Sequence, residues 1–243
     1  MSEPAKKPPV EKTAVEKPHH AGHRDRLRHR FVKSGAGAFE DYELLELALF
    51  AAIPRRDVKP LAKKLLTTFG SIAGVLSASV DDLKAVKGLS ENSAAFLKVI
   101  HALTQRMLFD DIDQKPILSS WQKLLDYCHV AMAHEKREHF RVLFLNRKNQ
   151  LIADEVQQIG TVDHAPVYPR EIIKRALDVG ATAVILVHNH PSGDPTPSDS
   201  DIAMTAEVIR AASAMDILVH DHLIISKSGH VSFKSLGLLD FTG

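Results

Sequence analysis

The sequence predicts an α/β protein: a mixed sheet flanked by helices over residues 117–243, preceded by an all-α part over residues 22–113. Three observations carry that expectation. Beyond Pro116, short apolar runs alternate with segments of helical periodicity, the order of a layered α/β domain. Between Gly22 and Asp110 the apolar residues keep helical spacing throughout. The stretch Asp110-Asp111-Ile112-Asp113-Gln114-Lys115-Pro116 is polar and closes on proline, which marks it as the boundary between the two parts.

Residues 1–21 are Pro, Lys, Glu and Ala with almost no large apolar side chain, so they are expected to form a disordered tail that includes His19 and His20. Arg24-Asp25-Arg26-Leu27-Arg28-His29-Arg30 follows, with Arg24 and Arg28 on one helix face and Arg26 and Arg30 on another. This is the best local candidate for a phosphate contact, although such runs are commonly solvated faces. Tyr42, Leu44, Leu45, Leu47, Leu49 and Phe50 give one apolar helix face, and Leu61, Leu65, Leu66 and Phe69 give a second. Pro54 and Pro60 punctuate between them, and Gly70 is a C-terminal stop. Ser79-Val80-Asp81-Asp82 opens a helix reaching Val86, Gly88 makes a turn, and a helix continues from Ala94 to Leu108. Lys87 to Ala94 resembles a helix-hairpin-helix, in which small residues admit a phosphate to the amides of a helix start. Ser90 stands where the second glycine of that turn usually lies, and Glu91 adds a negative charge. A phosphate contact through residues 87–94 and a plain helical packing module both stay open.

In the second part a helix over 119–133 precedes a strand Phe140 to Leu145, a turn Asn146-Arg147-Lys148-Asn149 and a strand Leu151 to Val156. A helix follows Pro169, then the continuous apolar run Ala183-Val184-Ile185-Leu186-Val187, the pattern of a strand buried on both faces. Ile202, Ala206, Ile209 and Ala212 keep helical spacing after Ser198. Two strands close the chain, Val219 to Ser226 and His230 to Phe233.

Composition narrows the function. Forty-four per cent hydrophobic and 25% charged residues fit a globular protein, and a formal net charge of +1 demands neither nucleic acid nor a membrane surface. The N-terminal residues lack the apolar core of a signal peptide, and no segment approaches the roughly 18 unbroken apolar residues of a membrane span. The one cysteine, Cys128, permits no internal disulfide, which suits a reducing cytoplasm; on its helix it reads as a buried structural thiol.

The chemistry concentrates in His188-Asn189-His190-Pro191-Ser192-Gly193-Asp194-Pro195-Thr196-Pro197-Ser198-Asp199-Ser200-Asp201. Side chains alternate along a strand, so His188 and His190 point one way and Asn189 the other. Prolines and Gly193 then force a turn, and Ser198 and Asp201 open a helix. Strand end, turn and helix start can bring two imidazole nitrogens and a carboxylate oxygen to one point, the usual protein ligands of a catalytic zinc with a fourth position for water. Ser198-x-x-Asp201 also fits a capping box, in which case the acid serves the helix start.

His188-x-His190, seven residues, Ser198, two residues and Asp201 resembles the JAMM metalloprotease motif. Val187 to Ser198 and Tyr168-Pro169-Arg170-Glu171 resemble the version in bacterial RadC-like proteins, a likeness running from about Gly22 onward. It implies a JAMM/MPN-type domain over 117–243 and a Zn2+-dependent hydrolase of peptide or isopeptide bonds that uses zinc-activated water. It carries an association with DNA repair as well. A peptidase needs a carboxylate to relay the water's proton. In JAMM proteins that glutamate stands just before the first core strand, where Glu138 lies; Glu155, at the end of the neighbouring strand, is the alternative. Ser198 would donate to the developing oxyanion. His220-Asp221-His222 sets two further imidazoles on one strand face, as support for the metal site or as packing. His164 falls in a loop that can border a substrate groove. The competing reading is a DNA-associated or protein-interaction module whose metal domain is catalytically idle.

Overall fold

The computed structural model describes residues 19–112, 115–160 and 167–240. Residues 1–18 of the tail expected over 1–21, and the loop with His164, lie outside the described residues. The chain divides into two compact units, Met1–Thr68 and Phe69–Gly243.

The first unit holds α1 (His19–Ser34), α2 (Asp41–Ala52) and all but the last residue of α3 (Lys59–Phe69). The first helix begins at His19, ahead of the expected start at Gly22. Glu40 and Glu43 form a reciprocal capping box at the start of α2, which satisfies amides that have no partner inside the helix. Arg24 is buried with its guanidinium 4.4 Å above the Phe50 ring, donating to the carbonyls of Ile53 at 2.7 Å and Arg56 at 2.5 Å. It closes the C-terminal end of α2, where a cation meets unsatisfied carbonyls.

The second unit opens with α4 (Ile72–Ser77), α5 (Val80–Ala85) and α6 (Glu91–Ile112), followed by α7 (Trp121–Met132). Ser79 caps α5 through its hydroxyl, as its sequence position suggested; α4, capped by Ser71, had no separate signature. Then come β1 (His139–Leu145), β2 (Leu151–Ile159), α8 (Pro169–Asp178), β3 (Ala183–Asn189), α9 (Asp199–Ser213), β4 (Leu218–Ser226) and β5 (Gly229–Ser232). The sheet order is β2-β1-β3-β4-β5, with β3 and β4 parallel and the other neighbours antiparallel. This is the mixed sheet that the alternation of strands and helices implied.

Both faces of the central strands are covered, which accounts for the unbroken apolar run at Ala183–Val187. Leu143, Ile185, Val187, Leu223 and Ile225 face α7 in one core. Phe140, Val142, Phe144, Val184 and Leu186 face α8 and α9 in the other. The boundary expected at Asp110–Pro116 falls inside this unit, because Ile112 within it and Ile117 just after it are fully buried in the core against α7. Cys128 lies in that core, where burial pushes its thiol up to about 12, so it is a packing residue with no thiolate at neutral pH. Among the described residues no helix is long and apolar enough to cross a membrane.

Candidate metal centre

The end of β3 and the start of α9 meet where the apolar strand gives way to polar residues. His188 is the penultimate residue of β3 and fully buried, and its ring stacks on Phe140 of β1. His190 follows the strand, with its amide still bonded to the Ile225 carbonyl of β4. The turn between them and α9 is held by Gly193, whose φ of +93° suits glycine and whose carbonyl accepts from Ser228 Oγ at 2.6 Å.

Ser198 is the N-cap of α9 and forms the capping box with Asp201. Its hydroxyl accepts from the Asp201 amide at 3.2 Å and donates to Asp201 Oδ2 at 2.6 Å, while its own amide donates to Oδ2 at 2.8 Å. The cap does not consume the acid. Asp201 Oδ1 lies 3.3 Å from His188 Nε2, Oδ2 lies 3.5 Å from His190 Nε2, and the two Nε2 atoms are 3.0 Å apart. The capping box therefore forms, and it orients the carboxylate toward the imidazoles rather than away from them.

These three residues are a group that could hold a metal ion, with ligand atoms all within 4.8 Å of one another. Four ligands placed tetrahedrally at zinc bond lengths stand about 3.3 Å apart along each edge. The observed 3.0, 3.3 and 3.5 Å fit that scale. Each imidazole also has its far nitrogen occupied. His190 Nδ1 donates to the Asp194 carbonyl at 2.8 Å, and His188 Nδ1 lies 2.8 Å from His222 Nε2. Nε2 of both rings is thus turned to the shared point.

The electrostatics follow from this packing. Desolvation alone would raise the Asp201 carboxyl, but the His188 and His190 imidazoles beside it and the Ser198 hydroxyl hold it well below the usual carboxylate range. The bond to Asp201 raises His190 against the desolvation of its ring, and the Asp194 carbonyl and the charge of Glu138 act in the same direction. Burial, with His188 beside it, drives His222 well below the ordinary histidine value.

A cleft of about 460 Å³ opens over this point, lined by His190, Asp201, Ser198, Glu138, Lys136 and Lys227 among others. Glu138 stands one residue before β1, and its carbonyl accepts from the Gly160 amide at 2.8 Å. Asn189 holds the segment around it. On the opposite strand face from the histidines, it accepts from the His139 amide at 2.8 Å and donates to the Arg137 carbonyl at 3.0 Å. Glu155 is placed differently: Arg175 of α8 grips it bidentately at 2.5–3.0 Å, and it is not among the residues lining the cleft.

The expected pairing of His220 with His222 on one face does not occur. A bulge in β4 against Val184–Ile185 breaks the alternation. His220 turns to Asn149 in the β1–β2 turn at 2.6 Å, whereas His222 turns to His188. Alternation alone cannot anticipate a bulge. Asn189 and Thr205, whose hydroxyl oxygen lies 2.6 Å from His222 Nδ1, have weak signals in the sequence: one sits inside the motif, and the other lies four residues after Asp201, one turn along the same helix face.

The two segments weighed for phosphate contact are largely engaged within their own units. Arg24 closes α2, Arg30 pairs with Glu43 at 2.6 Å, and Arg28 pairs with Asp25 at 3.4 Å. Between α5 and α6, Gly88 turns with φ of +108°, and Ser90 Oγ accepts from the Ser93 amide at 3.3 Å. That bond occupies an amide at the helix start where a phosphate would otherwise sit.

Two family models match the chain. The RadC-like JAB domain matches residues 118–238, which include Glu138, His188, His190, Ser198 and Asp201. The UPF0758 N-terminal model matches residues 19–95. Together they span most of the sequence.

Proposed function

From the premise that this chain belongs to the RadC-like proteins of the JAB/MPN superfamily, we propose that it is a zinc-dependent hydrolase of metallopeptidase or isopeptidase type. The observation that carries the reading is the convergence of His188, His190 and Asp201 at zinc-ligand spacing beside a cleft that also contains Glu138. When bound, a zinc ion supplies Lewis-acid polarisation of a carbonyl and brings the pKa of water to roughly 7. The chain's own residues do the rest. Glu138 takes the water's proton and returns it to the leaving amine. Ser198 holds Asp201 through its amide and, lining the cleft, turns its hydroxyl proton from Asp201 to the developing oxyanion. The substrate is a peptide or isopeptide segment laid across the cleft.

The reading is tested by incubating zinc-loaded protein with peptide and isopeptide libraries and identifying products by mass spectrometry. Cleavage that stops on chelation and returns with zinc is expected. Cleavage indifferent to the metal overturns the zinc mechanism, and silence across both libraries favours an idle metal domain.

Ser198→Ala should combine two modest losses. Losing the N-cap costs about 1 kcal/mol of stability. Losing the donor lowers turnover by at most the roughly 3 kcal/mol seen for oxyanion donors. Thermal unfolding and turnover measured on one preparation separate the two, and unchanged turnover with a lowered Tm leaves Ser198 as a cap only.

The site also fixes a dependence on pH. The raised His190 stabilises the metal-free fold fully below its unfolded value of roughly 6.5, and this contribution is lost as pH rises through the higher folded value. The depressed Asp201 contributes above roughly 3.9 and is lost as pH falls through its folded value. Zinc must displace the His190 proton, so it binds more tightly as pH rises. The increase in Tm on adding zinc should therefore be larger at pH 8 than at pH 6, measured by scanning fluorimetry. Equal increases at both values count against His190 as a ligand.

A further inference from the structure

We propose that Thr205 and His222 are positioning residues that fix the tautomer and aim of His188, so that its Nε2 lone pair is already turned to the metal before any metal arrives. The proposal rests on His188 being a metal ligand, as in the function proposed above.

The polarity of the chain of bonds is set at its far end. Thr205 Oγ lies 2.6 Å from the Asp201 carbonyl oxygen and 2.6 Å from His222 Nδ1, and all three groups are buried. A carbonyl can only accept, so the single hydroxyl proton goes to Asp201 and Oγ must accept from His222 Nδ1–H. His222 is fully buried between apolar rings, stacked on Phe233 at 4.5 Å and edge-on to Phe140 at 5.8 Å. Among the described residues no carboxylate is bonded to its ring, so the buried ring is neutral and its one proton is the one on Nδ1. Its Nε2 is then an acceptor, and the partner 2.8 Å away, His188 Nδ1, must be the donor. With Nδ1 as the donor, a neutral His188 ring carries its lone pair on Nε2, the nitrogen 3.3 Å from Asp201 Oδ1 and 3.0 Å from His190 Nε2.

Each link has one allowed polarity because the first link has one. The chain starts and ends on ligands of the same site: the backbone of Asp201 begins it, and the imidazole of His188 completes it. Helix α9 thereby couples the third ligand to the first, with Thr205 one turn beyond Asp201. Without the hydroxyl, the His222 proton can move to Nε2 and donate to His188, which then holds its own proton on Nε2, where it opposes a metal.

The test uses the full-length protein and the near-isosteric Thr205→Val, with Thr205→Ser as the conservative variant and His222→Leu as a second break. Zinc affinity by chelator competition should fall about 10- to 100-fold in Thr205→Val and in His222→Leu, the usual scale for outer-shell partners of a metal ligand. Thr205→Ser keeps the hydroxyl and should stay close to wild type. Long-range 1H–15N spectra of metal-free, histidine-labelled protein should place the His188 proton on Nδ1 in wild type and Thr205→Ser, and shift it toward Nε2 in Thr205→Val. A purely structural role would lower Tm while leaving affinity and the tautomer alone. Wild type with the His188 proton on Nε2 overturns the proposal without any variant. Zinc bound equally by wild type and Thr205→Val overturns the relay and leaves the metal site standing. A wild type that takes up no zinc overturns the metal site itself.

Discussion

His190→Ala protein should carry almost no zinc where the wild type carries about one ion per chain, and it should lose chelator-sensitive hydrolysis altogether. Of the three ligands, His190 gives the cleanest removal. It lies past the end of β3 with its ring half-buried, bonded to the Asp194 carbonyl on one side and facing Asp201 on the other. Asp201→Ala would break the capping box of α9 as well, mixing a cap loss of about 1 kcal/mol into the result. His188→Ala would open a hole beside Phe140 and remove the partner of buried His222. In His190→Ala the carboxylate keeps His188 and both Ser198 bonds, so the fold should persist while the metal is lost. Elemental analysis of the two proteins after identical dialysis decides the matter. Equal zinc in both sinks the assignment. A lowered Tm with neither protein holding metal would mean that the His–His–Asp contact only ties β3 to α9.

The part of this site that sequence makes legible is the part built from short-range rules. The two histidines share a face because strand side chains alternate, and Ser198 and Asp201 share a helix start because a capping box spans three residues. The continuous apolar run at Ala183–Val187 gives away a strand buried on both faces for the same reason. Long-range pairing leaves no such mark. Nothing local says that β3 lies between β1 and β4, or that Asn189 reaches back fifty residues to the His139 amide. The bulge in β4 sends His220 and His222 apart although their spacing reads as one face. The polar run at Asp110–Pro116 reads differently in composition and in packing. Its composition is that of a linker, yet Ile112 and Ile117 are the anchors that join α6 to the core of the second unit. Two buried apolar side chains outweigh their polar neighbours, since burying each contributes on the order of 2 kcal/mol.

Glu138→Gln should keep the full zinc content and lose turnover by roughly 10²- to 10⁴-fold, the range general acid–base groups supply. Glutamine preserves the shape of the side chain and removes its ability to take a proton, so a fall in turnover without a fall in zinc isolates that role. The position is built for a fixed group. Gly160 holds the Glu138 carbonyl, Asn189 holds the residues on both sides, and the side chain lies on the cleft wall with His190 and Asp201. Glu155 lacks those qualifications. The hydrogen bonds from Arg175 come first among the causes that lower its carboxyl, and a base held down by a bidentate guanidinium is a poor proton acceptor near neutral pH. Its ion pair is partly exposed, with side chains 42% and 31% accessible for Arg175 and Glu155, so Glu155→Gln should cost up to about 1 kcal/mol of stability and leave turnover near wild type. The pair of variants therefore discriminates sharply. If Glu138→Gln turns over like the wild type while Glu155→Gln is dead, the proton relay belongs to Glu155, and Arg175 must release it on substrate binding. If both variants retain turnover, neither carboxylate relays the proton, and the group that does so comes from elsewhere.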